Sequence, residues 1–286
     1  MTPRWIVELA LAITVAVWAG NYIIVKAALA TWNPMAFNAC RCILAAALMY
    51  AVIRVTSAGA WRPRRQLASL TLLGGWNAAY QILFVLALER TTASNAALIL
   101  ATMPVWVGLW GQVSRSERLS PKQWLGIASS LVGVALVAGG GLNIQGQTVG
   151  GDALALLGTV AFAGYTVYSW HIAGPGPIWT AGWGMIVTAV IVAAVGAPAL
   201  ATDLRSPPPV LSWLAVAYSG ALSLALNYCL FTWSVRHIGP TKASVFLNLT
   251  PIVATTLAWL VLGESWNPVQ WLGALFALAG LYMIRP

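Results

Sequence analysis

The chain is short of charge. Of its 286 residues only 7% are Asp, Glu, Lys or Arg, against 60% hydrophobic. A soluble domain needs roughly 25% charged residues to cover its surface, so a water-soluble protein is excluded and an integral membrane protein expected. Carboxylates are scarcest: Glu8, Glu89, Glu117, Asp152, Asp203 and Glu264. Only Glu8 falls inside an apolar run, near its end and beside Arg4. The two histidines, His171 and His237, are expected in loops with no carboxylate or cysteine cluster beside them, which argues against a metal site. Three cysteines give no disulfide framework. Cys40 and Cys42 would lie about 200° apart on a helix, and with Cys229 they read as small packing residues. No H-E-x-x-H, no intramembrane aspartate pair and no histidine beside a buried Ser or Cys is present, so an enzyme is not expected. Short alternating segments are also missing, which excludes a transmembrane barrel.

What is there is a series of apolar runs, each about 20 residues and long enough to cross the hydrocarbon core. They cover roughly 5–29, 35–55, 66–88, 94–113, 121–139, 152–170, 178–200, 211–233, 241–262 and 268–284. The expected fold is therefore all-α, with ten transmembrane helices. No small-residue cleavage site follows the first run, so it is expected to remain as a helix. Lys and Arg set the orientation. With the N-terminus inside, the cytoplasmic segments hold Arg4, Arg54, Arg62, Arg64, Arg65, Arg115, Arg118, Lys122, Arg236, Lys242 and Arg285, while the outer ones hold only Lys26, Arg90 and Arg205. Both termini are thus expected in the cytoplasm. The net charge of +9 becomes a topology signal rather than a sign of nucleic acid. Tryptophans at run ends, Trp5, Trp61, Trp124, Trp179, Trp213, Trp266 and Trp271, fit interfacial anchoring.

The chain repeats itself. "SERLSPKQWLGIASSLVGV" (116–134) aligns without a gap on "GESWNPVQWLGALFALAGL" (263–281), pairing Glu117 with Glu264, Pro121 with Pro268 and Gly133 with Gly280. The same offset pairs Pro104 with Pro251. Two five-helix halves follow, residues 1–140 and 152–286, joined by a linker at 141–151. Because five is odd, the second half must enter the membrane inverted, a pattern of secondary transporters whose site lies between the halves near the midplane.

At these residues the chain resembles the EamA-type members of the drug/metabolite transporter superfamily over essentially its whole length. The carriers are "WAGNY" (18–22), "FNACRCILAAALM" (37–49) with Arg41, and "ALILATMPVWVGLWGQVSRSERLSPKQWLGIASSLVGVAL" (97–136) with its copy after Lys242. Overall similarity and aromatic richness make it most similar to the YddG-type aromatic amino-acid exporters. The resemblance implies ten helices around a central cavity lined by helices 1, 3, 4, 6, 8 and 9, with helices 5 and 10 at the periphery. It also implies transport of a small molecule.

Polar side chains inside a span usually face a bundle interior or a watery cavity. Trp18, Asn21, Tyr22 and Lys26 share one face of the first run, at helical spacing. The sixth run offers Phe162, Tyr165, Thr166, Ser169 and Trp170. The third offers Trp76, Asn77, Tyr80, Gln81 and Phe84, and the eighth Ser223, Asn227, Tyr228 and Phe231. The candidate substrate-binding set is Trp18, Asn21, Tyr22, Trp76, Asn77, Tyr80, Gln81, Tyr165, Tyr168, Asn227, Tyr228 and Asn248. Interhelical hydrogen bonding is the competing explanation for each amide or phenol taken singly. Rings offer flat apolar area and amides orient polar groups, which suits an amphipathic solute such as an amino acid. Few fixed charges are expected to face the cavity, so selectivity should be broad. Drugs or other metabolites are the alternative cargo; phosphates would demand more cavity cations. Without a mid-membrane carboxylate, transport should be uniport or weakly proton-coupled.

Pro104 and Pro251 each lie about 15 Å into their helices. Each disturbs the carbonyl four residues earlier, at Leu100 and Leu247, and both are candidate hinges. Glu117 and Glu264 are expected to cap the first turn of the helix that follows each. Gly126, Gly133, Gly273 and Gly280 should let helices 5 and 10 pack closely. Arg41 has three possible uses: snorkelling outward, pairing with Glu89, or facing substrate. Lys26, about 31 Å along its helix, either snorkels or steers substrate at an outer vestibule. The expected protein acts as a monomer in a lipid bilayer, without cofactor, metal or nucleic acid.

Overall fold

The computed structural model describes residues 3–56, 66–115, 117–139, 149–172, 176–253 and 268–284, and among them there is no strand. Glu264, Trp61, Trp266, Arg62, Arg64, Arg65 and Arg285 lie outside the described residues. Seven helical stretches among those described are long and apolar enough to cross a membrane: Arg4–Ala28, Pro34–Thr56, Leu67–Arg90, Ala96–Val113, Val149–His171, Pro177–Arg205 and Val210–Ile238. The protein is therefore an all-helical, multi-span membrane protein.

The first three spans are single helices, α1 (Arg4–Ala28), α2 (Pro34–Thr56) and α3 (Leu67–Arg90). The fourth is broken into α4 (Ala93–Leu100) and α5 (Met103–Val113), with Pro104 in the first turn of α5. A proline tolerates that position because the amide it lacks would have no intrahelical partner there. Then come α6 (Pro121–Gly139), α7 (Val149–His171) and α8 (Pro177–Arg205). The helix α7 already begins at Val149, inside the expected linker. The helix α8 runs on to Arg205, past the apolar run's expected end, because Pro198 is absorbed without a break and polar residues extend it. His171 closes α7 instead of lying in a loop, its Nδ1 2.8 Å from the Val167 carbonyl, and His237 sits in the same way over the Trp233 carbonyl.

The eighth run is the least regular. A 3-10 turn (Val210–Ser212) leads into α9 (Trp213–Ala217), a π-helical stretch (Tyr218–Leu226) and α10 (Asn227–Ile238). Widened turns are rare in helices and are frequent at functional sites. After Gly239, at φ +87°, come α11 (Pro240–Phe246) and a 3-10 turn (Leu247–Leu249) that precedes Pro251. The last helix is α12 (Pro268–Ile284).

Packing pairs elements from the two halves: α2 lies along α8, α3 along α7, α1 along α10 and the π-helical stretch, and α6 along α12. Glycine makes the last pair as close as the sequence spacing implies. A Cβ on Gly273 would come within 2.6 Å of the Gly133 carbonyl, and one on Gly126 within 2.9 Å of the Gly280 carbonyl. In lipid, where apolar surface is no incentive to associate, this backbone approach supplies the van der Waals contact that holds the helices. Trp179 is buried beside Ile53 and Leu70, so it is a packing residue and not the interfacial anchor expected from its place at a run end.

Candidate functional site

Where α1, α2, α3 and the irregular eighth span converge, the polar side chains meet. A cavity of about 20 Å³ is lined by Trp18, Asn21, Tyr22, Arg41, Tyr80, Gln81, Phe84, Leu100, Ser223, Leu224, Tyr228, Leu247 and Thr250. That volume holds little more than a single water, too little for an amino acid.

Aromatic walls define it. Tyr80 stacks on Phe162 at 4.6 Å between ring centroids, and Tyr22 meets Phe84 edge-on at 5.5 Å. Trp18 packs against Phe162, Tyr228 and Phe231 at 5.7, 6.0 and 5.4 Å. Its indole Nε1 donates to the Ser223 carbonyl at 2.9 Å, a bond from α1 into the π-helical stretch.

Behind the rings runs a hydrogen-bonded chain across four spans. Gln81 Nε2 donates to the Tyr228 hydroxyl at 2.7 Å, and that hydroxyl donates to Asn77 Oδ1 at 2.7 Å. Asn77 Nδ2 donates to Thr188 Oγ1 on α8 at 3.0 Å. Gln81 Oε1 accepts from Arg41 at 2.8 Å. Arg41 is fully buried; its Nε donates to Asn38 Oδ1 at 2.9 Å and another of its nitrogens to Ser219 Oγ at 3.1 Å. Gly220 makes the approach possible, since a Cβ there would come within 2.9 Å of the Arg41 carbonyl.

The candidate residues thus divide. Trp18, Asn21, Tyr22, Tyr80, Gln81 and Tyr228 come together at the cavity. Asn77 is wholly buried in the chain behind it. Tyr165 is buried against Phe162, its hydroxyl 3.1 Å from Thr232 Oγ1. Asn227 Nδ2 donates to the Thr14 carbonyl at 3.0 Å, and Asn248 Nδ2 to Ser130 Oγ at 2.8 Å; these two amides tie helices together. Trp76 stands edge-on to Trp110 at 5.1 Å and covers Gly164, and Tyr168 packs against the core. None of these six lines the cavity.

The structure bears on three expectations about polar residues. Arg41 neither snorkels nor pairs with Glu89, whose carboxylate lies 3.7 Å from Arg90; it lines the cavity, so a fixed charge does face the site. Lys26 is not left to a vestibule: its ammonium donates to the Leu88 carbonyl and, at 2.8 Å, to the Thr91 carbonyl, completing the C-terminus of α3 where the helix dipole favours a cation. Glu117 does not cap α6, because Ser120 and Gln123 already form a reciprocal cap there, at 2.9 and 3.3 Å. Its carboxylate instead accepts the amide (3.2 Å) and hydroxyl (2.5 Å) of Thr241 at the start of α11.

Each proline stands beside an irregular turn. The fourth span breaks at residues 101–102, just before Pro104, and the 3-10 turn 247–249 stands just before Pro251. Leu100 and Leu247, each four residues before its proline, both line the cavity. The proline spacing was the signal for them. Arg41 and Thr250 had no such signal, for in an apolar helix spacing alone does not say which face looks inward.

A polar, aromatic-walled site enclosed by long apolar helices belongs to a membrane transporter, and known proteins agree. The chain belongs to the EamA-like transporter family, whose sequence pattern matches residues 5–139 and again 149–285. The uncharacterized transporter YyaM of Bacillus subtilis is 28% identical over 261 residues, covering 87% of this chain and 84% of that protein. The uncharacterized inner membrane transporter YedA of Escherichia coli K12 is 23% identical over 260 residues, covering 90% and 83%. A probable terminal-alkyne amino-acid exporter of Streptantibioticus cattleyicolor is 26% identical over 281 residues, covering 96% and 92%. A solved crystal structure, 18% identical, superposes with a TM-score of 0.73 over 99% of this chain and 98% of the other, a likeness of fold.

Proposed function

We propose that this chain exports amino acids, aromatic ones included, across the inner membrane by alternating access. The observation that carries the reading is the cavity, whose ring walls and amide and guanidinium groups suit a small amphipathic solute. With room for about one water, the cavity must widen for a substrate to enter. The amino-acid exporter among the relatives supports the substrate class.

The transporter has ten transmembrane helices in two inverted halves, residues 1–140 and 152–286, with both termini in the cytoplasm. The packing supports the repeat. Counted as spans, 2 pairs with 7, 5 with 10, 3 with 6 and 8 with 1; exchanging the halves maps this set onto itself. Pro104 and Pro251 are the hinges. The candidate substrate residues are Trp18, Asn21, Tyr22, Tyr80, Gln81 and Tyr228, and transport is uniport or weakly coupled to protons.

Counterflow in proteoliposomes tests the reading. Labelled tryptophan, tyrosine and leucine are expected to accumulate against trapped unlabelled amino acid, beside a panel of nucleosides and cationic dyes. Accumulation of dyes alone would overturn it and leave the drug-exporter alternative standing. Uphill flux driven by a pH gradient would overturn the coupling claim.

A further inference from the structure

The most unusual group in the bundle is Arg41. It is 0% exposed, and guanidinium stays charged in proteins. Among the described residues no carboxylate lies within ion-pair distance of it. Its three acceptors, Asn38, Gln81 and Ser219, are neutral. They take three of about five N–H donors, which leaves two, the number a carboxylate's paired oxygens accept. Phe37 and Phe84 offer ring centroids at 5.7 and 5.3 Å from the guanidinium carbon. Ring quadrupoles offset part of the cost of burying a cation, not all of it. A neutral amide, with two donors, would meet two of these acceptors without that cost, so the charge itself needs an explanation.

The second observation lies on the same cavity. Asn21 is 5% exposed, and its Oδ1 is a buried acceptor that meets no donor among the described residues. The cavity therefore offers an uncompensated cation with spare donors and an unfilled acceptor, and Trp18, Tyr22, Tyr80 and Phe84 line the same space. We propose that Arg41 binds the carboxylate of the transported solute and Asn21 its ammonium, so that the site selects zwitterions with an apolar side chain. The assignment rests on the transport reading above and narrows it. It also explains how a site with one fixed charge accepts many amino acids: the backbone poles are read, and the side chain only meets rings.

The test is competition for labelled-tryptophan counterflow by tryptophan, tryptamine (no carboxylate) and indole-3-propionate (no ammonium). Wild-type protein is expected to prefer tryptophan over tryptamine by about tenfold or more, as a site with buried polar groups rejects analogues that leave them unpaired. In Arg41→Gln, which keeps donors for Gln81 and Ser219, that ratio is expected to fall toward one; in Asn21→Leu the preference over indole-3-propionate is lost. Weaker transport at an unchanged ratio in Arg41→Gln would make Arg41 a packing residue and overturn the proposal. Should Arg41→Gln not fold, the wild-type ratio still decides, because a value near one overturns it outright. If tryptophan moves but its carboxylate is immaterial, the zwitterion site falls and the exporter reading stands. If only other carboxylates move, the exporter reading falls and Arg41 keeps its role.

Discussion

Replacing Tyr228 with Phe deletes one oxygen from the centre of the bundle and nothing else. That hydroxyl accepts from Gln81 Nε2 and donates to Asn77 Oδ1, both at 2.7 Å, so two buried bonds are lost. The ring contacts with Trp18 and Tyr165, at 6.0 and 5.4 Å, are kept. Interhelical hydrogen bonds in membrane proteins average about 0.6 kcal/mol each, with a maximum near 1.7. Two of them give about 1 kcal/mol, rising to about 3 if both partners stay unpaired. Gln81 Nε2 already lies 3.4 Å from Asn77 Oδ1, and the two can close on each other once the oxygen is gone. That holds the expected loss to about 1–2 kcal/mol. Reversible unfolding of the purified protein in mixed micelles, followed by tryptophan fluorescence, measures it. A cycle with Asn77→Leu should return a coupling of about 0.6–1.7 kcal/mol. A Phe variant as stable as wild type would refute the network. A large rise in KM at unchanged stability would place the hydroxyl on the substrate instead.

The other predictions concern the elements around the site. Glu117→Ala removes both bonds to Thr241; a loss of about 1.4 kcal/mol corresponds to a tenfold gain in opening, read as faster labelling of a cysteine placed at buried Ser244, and an unchanged rate refutes it. Gly133→Leu drives a side chain into the α12 backbone beside Ala277; overpacking costs about 1–3 kcal/mol or more, so expression and thermal stability in micelles should fall together. Lys26→Ala removes the cation that completes α3; it is expected to lower stability by about 0.3–1 kcal/mol with KM unchanged, whereas Trp18→Ala, at the cavity, raises KM.

How much of this was legible beforehand differs between backbone and site. Among the described residues, span positions were readable to within a turn or two, because the bilayer core demands about 20 apolar residues per crossing and bars open polar backbone. The break before Pro104 was readable because a proline cannot donate. The ends of α8 and α7 were misjudged because polar residues beyond the hydrocarbon still extend a helix. At the site, stripes of Asn, Tyr and Trp announced an interior polar cluster. They did not separate Asn21, Tyr22 and Tyr80 at the cavity from Asn227, Asn248 and Tyr165 that tie helices together, since both uses put a polar group on an inward face.

The amino-acid sequence by itself determined that this protein lives in a membrane, that it is helical, that it carries an internal repeat and that its fourth span is disturbed before Pro104. Those properties follow from composition, run length and proline chemistry, which are local. Only the tertiary structure decided which groups meet. Glu117 reaches α11 because α6 is capped by its own Ser120 and Gln123, Lys26 is taken by the carbonyls of α3, and Arg41 is brought to the cavity by a glycine in the π-helical stretch. In a helix surrounded by apolar neighbours and apolar lipid alike, periodicity marks no inside. The direction in which a lone arginine points is then set by packing alone.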